Sequence, residues 1–138
     1  MKKSVLFLLM MISSVALAQS TESEKVKFIT IKQKVCSNQE GFQLVLKTIA
    51  ADSRCPEGVT CIWAGDVTAI VSVYKDSKLI EDATLVFSKE KEENNKKWFA
   101  TYLPEKQKKI ISIRVFPYPK EGSRISSKEY YLKIGYLK

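Results

Sequence analysis

Apolar side chains recur at every second position through most of this chain. Val26, Phe28 and Thr30 alternate with Lys25, Lys27 and Ile29, and Phe42, Leu44 and Leu46 alternate with Gln43, Val45 and Lys47. Val67, Ala69, Val71 and Val73 share one face opposite Thr68, Ile70, Ser72 and Tyr74, apolar enough for cover on both sides. Leu85 and Phe87 mark a strand over 79–87. Ile111, Ile113 and Val115 alternate with Ser112 and Arg114, and Tyr130, Leu132, Ile134 and Tyr136 alternate with Tyr131, Lys133 and Gly135. A period of two, in runs rich in β-branched and aromatic residues, is the strand pattern.

The breaks between runs fit that reading. Segments 37–41 and 75–78 have turn composition, the second joining two strands as a hairpin. Pro117, Pro119 and Gly122 end a strand, because proline cannot donate to a ladder. Residues 88–97 are charged and amide-rich with no apolar member, which predicts an exposed loop or the tip of a long hairpin. A short helix there would have no buried face to stabilise it. Trp98, Phe99, Tyr102 and Leu103, entering Pro104, read as a further short strand. Seven strands without intervening helices predict an all-β fold, an immunoglobulin-like β-sandwich, with a small β-barrel as the alternative.

The N-terminus changes the compartment. Lys2 and Lys3 precede an apolar run over 5–12, and Ala16 and Ala18 supply the small residues of a cleavage site. Residues 1–18 are therefore expected to be a secretory signal peptide. The apolar run is shorter than the roughly 20 residues a membrane helix needs, and no second one follows, so no membrane span is expected. No cysteine stands at the cleavage point to carry a lipid, so Cys36 is not expected to be an anchor. Residues 19–24 are polar and expected to fray, leaving 25–138 as one β domain, secreted or periplasmic.

The full chain carries a formal charge of +8, and loss of Lys2 and Lys3 lowers it to +6. That balance attracts acidic polymers weakly but names none. The cations are spread between strands rather than gathered with aromatics on one element, which reads as a solvated basic surface. The six tyrosines raise base stacking as an idea, yet those of the last strand alternate as core residues would, and export argues against a nucleic-acid partner.

Catalytic chemistry finds little to work with. The chain has no histidine, so Ser–His and Cys–His pairs and the usual neutral-pH base are missing. Zinc takes about four ligands, and three cysteines without histidine do not provide them. Glu90, Glu92 and Glu93 beside Asn94 and Asn95 offer oxygen ligands, but their spacing fits no calcium loop. No cofactor or metal is expected. Asp52, Glu57 and Asp66 leave a carboxylate hydrolase of envelope polymers as an outside reading.

The most distinctive segment runs Asp52-Ser53-Arg54-Cys55-Pro56, then Val59, Cys61, Trp63, Gly65 and Asp66. It resembles a motif of small uncharacterised secreted or lipoprotein-like bacterial proteins of the Bacteroidetes type. The likeness extends loosely over the flanking β segments. It implies no assigned chemistry, and this chain departs from the lipoprotein form in lacking a lipid-acceptor cysteine.

Read for itself, the segment predicts a disulfide-braced loop. Cys55 and Cys61 are six residues apart with Pro56 and Gly58 between them, and a bridge suits an exported protein. Closing so small a loop contributes about 2 kcal/mol. Cys36 is then the odd thiol: buried, paired between molecules, or competing for one of the other two. Trp63, two residues beyond Cys61, is expected to pack over the bridge; exposed, it would be a ligand platform. Arg54 is expected to pair with Asp52 or Asp66, and Gly65 to permit close backbone approach. These four, Asp52, Arg54, Trp63 and Asp66, are the candidate interaction residues. They suit a non-enzymatic module for an envelope or extracellular protein, a peptide or a glycan, or else a secreted inhibitor or envelope stress factor.

Overall fold

The computed structural model describes residues 24–34 and 40–138. The expected signal peptide and Cys36 lie outside the described residues. Among the described residues there are six strands: β1 (Val26–Ile31), β2 (Phe42–Asp52), β3 (Val67–Lys75), β4 (Lys78–Phe87), β5 (Ile110–Phe116) and β6 (Tyr131–Leu137). They form two three-stranded antiparallel sheets, ordered β1–β6–β5 and β2–β3–β4. The all-β reading holds.

One face of each sheet is buried. Ile31, Leu132, Ile134 and Val115 from the first sheet meet Leu46, Val67, Ala69, Val71 and Leu85 from the second, with Phe99 completing the cluster. Full burial of such a side chain contributes about 1.5–3 kcal/mol, so this cluster holds the sheets together. β3 is central in its sheet and also buries Val73 and Ser72, the latter on the other face. Ser72 donates to Asp82 at 2.5 Å, so its hydroxyl is not left unsatisfied. The β3–β4 hairpin turns at Asp76 and Ser77, both with positive φ (48° and 66°), as a tight two-residue hairpin requires.

One predicted strand is a helix. Residues 98–103 do not extend a ladder; α1 (Glu92–Tyr102) runs from the charged stretch through the aromatics. Asn95, Trp98, Phe99 and Tyr102 fall at helical spacing, so the face begins at a buried amide rather than an apolar residue. Asn95 donates from Nδ2 to the Val86 carbonyl at 2.9 Å, fixing the first turns to β4. Trp98 Nε1 and Tyr102 Oη both donate to Glu81, at 3.2 and 2.8 Å. Tyr102 meets Phe42 edge-on at 5.3 Å, and Trp98 meets Phe99 at 4.9 Å. Glu92 and Glu93 suit the positive end of the helix dipole and share Lys96 at 3.0 and 2.8 Å.

Candidate functional site

β2 and β3 extend beyond their ladder into the loop over 53–66. Ser53 N donates to the Asp66 carbonyl and Cys55 N to the Ala64 carbonyl, each at 2.9 Å, so the loop leaves the sheet as a narrow two-chain stem. Gly65 makes that stem narrow: its φ is 71°, and a Cβ there would meet the Ser53 carbonyl oxygen at 1.9 Å. Above it the Cys55–Cys61 disulfide closes the loop across a Cα–Cα distance of 5.9 Å. A third tether comes from the side. Glu57 N donates to the Pro119 carbonyl at 2.9 Å, and Glu121 N returns a bond to the Glu57 carbonyl at 3.3 Å.

Arg54 locks the base of the stem. Its Nε donates to Asp52 Oδ1 at 2.8 Å and its Nη2 to Asp52 Oδ2 at 2.5 Å, a bidentate pair in which both side chains are about one-tenth exposed. Nη1 reaches the Val115 carbonyl at 2.6 Å and Nη2 the Pro117 carbonyl at 2.8 Å, tying the second sheet to the end of β5 in the first. The guanidinium also lies 5.0 Å from the Tyr118 ring centroid. Tyr130 donates to Asp52 Oδ2 at 3.0 Å. Burial opposes ionisation of Asp52, but the hydrogen bonds and charge of Arg54 with the Tyr130 bond outweigh it, and its carboxyl titrates below its ordinary value. Burial, with the Asp52 bond, pushes the Tyr130 phenol up.

Asp52 is thus the partner Arg54 takes. Asp66 stays on the stem instead, where its N–H donates to Ser53 Oγ at 3.1 Å and its Oδ1 accepts from that hydroxyl at 3.3 Å. Asp52 and Arg54 are brought together as a part-buried structural lock.

Trp63 corrects the sequence reading. It does not pack over the disulfide but projects from the loop with 75% of its surface exposed. Ile62 beside it is fully exposed, and Val59 is 41% exposed. The reason is geometric. Residues 61–64 are not a strand, so the two-residue spacing from Cys61 to Trp63 does not place both on one face. Sequence reasoning therefore overlooked Ile62 and Val59, although an apolar pair inside a polar loop was visible.

Beside the stem lies a cleft of about 520 Å³, which the sequence did not announce. It opens between the stem, the end of β4, the first turns of α1 and β5, with Phe87, Asn95, Val115 and Tyr118 on its walls and Lys89 and Glu92 at its lining. Among the described residues no helix is long and apolar enough to cross a membrane. No protein-family model, curated protein or solved structure matches the chain.

Proposed function

We propose that this is a secreted or periplasmic, non-enzymatic interaction module whose recognition element is the tip of the 53–66 loop. The observation that carries the reading is the exposure of Val59, Ile62 and Trp63 on a loop braced by a disulfide, a backbone stem and a side tether. Large apolar side chains held rigidly in water have no folding benefit, whereas a tryptophan entering a partner's pocket is a common binding anchor. Prior bracing lowers the ordering cost at the moment of binding. The fitting partner is an envelope or extracellular protein with an apolar cleft, and a protruding loop of this kind also suits a secreted inhibitor. The hydrolase reading draws no support from Asp52, whose two oxygens are engaged by Arg54 and Tyr130, or from Asp66, whose Oδ1 accepts from Ser53.

The test places a photo-crosslinker at position 62 and exposes the protein to envelope and extracellular fractions. One dominant captured protein is expected, lost on Trp63→Ser while the melting temperature is kept. Capture that is diffuse and indifferent to Trp63→Ser, or catalytic turnover of an envelope polymer, would sink the proposal.

A further inference from the structure

The first sheet brings together two cations, Lys133 and Arg114, that the sequence places on separate strands. Thr30 of β1 lies opposite Lys133 of β6, and Lys133 lies opposite Arg114 of β5, so the three form one row across the sheet. The adjoining row is Phe28, Gly135 and Ser112. This is the outer face, since the alternating positions Ile31, Leu132, Ile134 and Val115 are the buried ones. Phe28 is 55% exposed there.

Like charges directly opposite one another in a ladder repel. Lys133 and Arg114 stand in register all the same, and among the described residues neither has a carboxylate at ion-pair distance. None of the outward positions of β1, β5 and β6 is Asp or Glu. Glu24, just before β1, is already paired with Lys109 at 3.0 Å. The face therefore carries two adjacent cations, Lys133 and Arg114, without a counter-charge of its own among the described residues.

The aromatics around it are already occupied. Lys133 Nζ lies 4.4 Å from the Phe28 ring centroid. Phe28 itself sits close over Gly135, where a Cβ would come 3.1 Å from the ring and 2.7 Å from Ser112 Oγ. Phe116 and Tyr131 stack on each other at 5.5 Å, with ring planes 16° apart. Single-stranded nucleic acid is held largely through free aromatic faces that bases can cover, and these rings are engaged with a cation and with one another. Hydroxyls of Thr30 and Ser112 flank the charges instead.

We infer that this outer face binds an acidic polysaccharide. Carboxylates or sulfates repeated along the polymer would neutralise Lys133 and Arg114, and sugar hydroxyls would exchange hydrogen bonds with Thr30 and Ser112. The surface is separate from the loop tip and does not depend on its function.

The test titrates the purified protein at low ionic strength with polygalacturonate, neutral dextran and oligothymidylate. Polygalacturonate is expected to bind, weakening as salt is added, and dextran is not. Arg114→Gln with Lys133→Gln should weaken binding about tenfold or more. Lys78→Gln with Lys106→Gln removes equal charge elsewhere and should leave affinity within about twofold. The swap Arg114→Lys with Lys133→Arg should retain binding, which keeps the result readable if the neutral pair destabilises the sheet. No binding by the parent protein, equal loss in both neutral pairs, loss on the charge-conserving swap, or tighter binding of oligothymidylate would each overturn the inference.

Discussion

Gly65 and Ser53 approach so closely that a Cβ on the glycine would stand 1.9 Å from the Ser53 carbonyl oxygen and 2.9 Å from the Arg54 Cα. No side-chain movement relieves that overlap, because the atoms in the way are backbone. Gly65→Ala should cost at least about 3 kcal/mol, combining the strain of φ 71° with displacement of the stem. Gly122 shares that φ with nothing within 4 Å of its virtual Cβ, so Gly122→Ala should cost only about 1 kcal/mol. Urea midpoints of the two variants compare the effects directly. Equal losses would mean that conformation alone, and not the close approach, matters at Gly65.

Arg54 satisfies four acceptor oxygens at once, and no other residue type has that fork. Arg54→Ala leaves the part-buried Asp52 carboxylate without its counter-charge, which should destabilise by about 2–3 kcal/mol. Arg54→Lys should recover only part of this, because an ammonium cannot hold Asp52 bidentately while reaching the Val115 and Pro117 carbonyls. Denaturant unfolding of both variants checks the order; a lysine variant as stable as the parent would show that charge alone suffices.

The same lock sets a pH dependence. Asp52 titrates below its ordinary value of 3.8 in the folded chain, so its contribution is fully present above that value. It is lost as the pH falls through the lower folded value, where protons bind the unfolded chain first. Tyr130 and Tyr102 behave oppositely. Their pKa values lie above 10.0, raised in Tyr130 first by burial and in Tyr102 first by its bond to Glu81. Their contribution is present below 10.0 and is lost as the pH rises through the folded values. Stability measured against pH should therefore fall at both ends, and Asp52→Asn should flatten the acid limb relative to the parent. An unchanged acid slope would mean that other carboxylates govern it.

Trp63 and Trp98 should be distinguishable by fluorescence. With Trp98→Phe the remaining Trp63 emission should be red-shifted and quenched by iodide nearly as free indole is. With Trp63→Phe the half-buried Trp98 should resist quenching, its Nε1 being held by Glu81. Reducing Cys55–Cys61 should lower Trp63 anisotropy and cost about 2 kcal/mol of stability. A protected Trp63 would remove the basis for an exposed recognition tip.

The strands were readable because Val67, Ala69, Val71 and Val73, or Ile113 and Val115, each had to bury one face, and a period of two admits no other element. The helix was hidden by Asn95, a buried polar residue at the head of its apolar face, which made the charged stretch look unsupported. Cys55–Cys61 followed from local spacing. The direction of Trp63 did not, because side-chain alternation holds only where the backbone is extended. Arg54's bonds to Val115 and Pro117 span 61 and 63 residues and belong to the tertiary arrangement alone. The pair of adjacent cations is of the same kind: it exists only in the pairing register of β6 and β5.

β5 is the last strand of its sheet, and the end of such a strand is where a second molecule could add a ladder of its own. Arg54 occupies the Val115 carbonyl on that border, and the Pro117 carbonyl just past it, with two donors that an incoming chain would have to displace. The guanidinium that fastens the stem thus also caps the end of that edge. Its loss would loosen the protein and, in the same stroke, leave those two carbonyls at the strand's end without their donors.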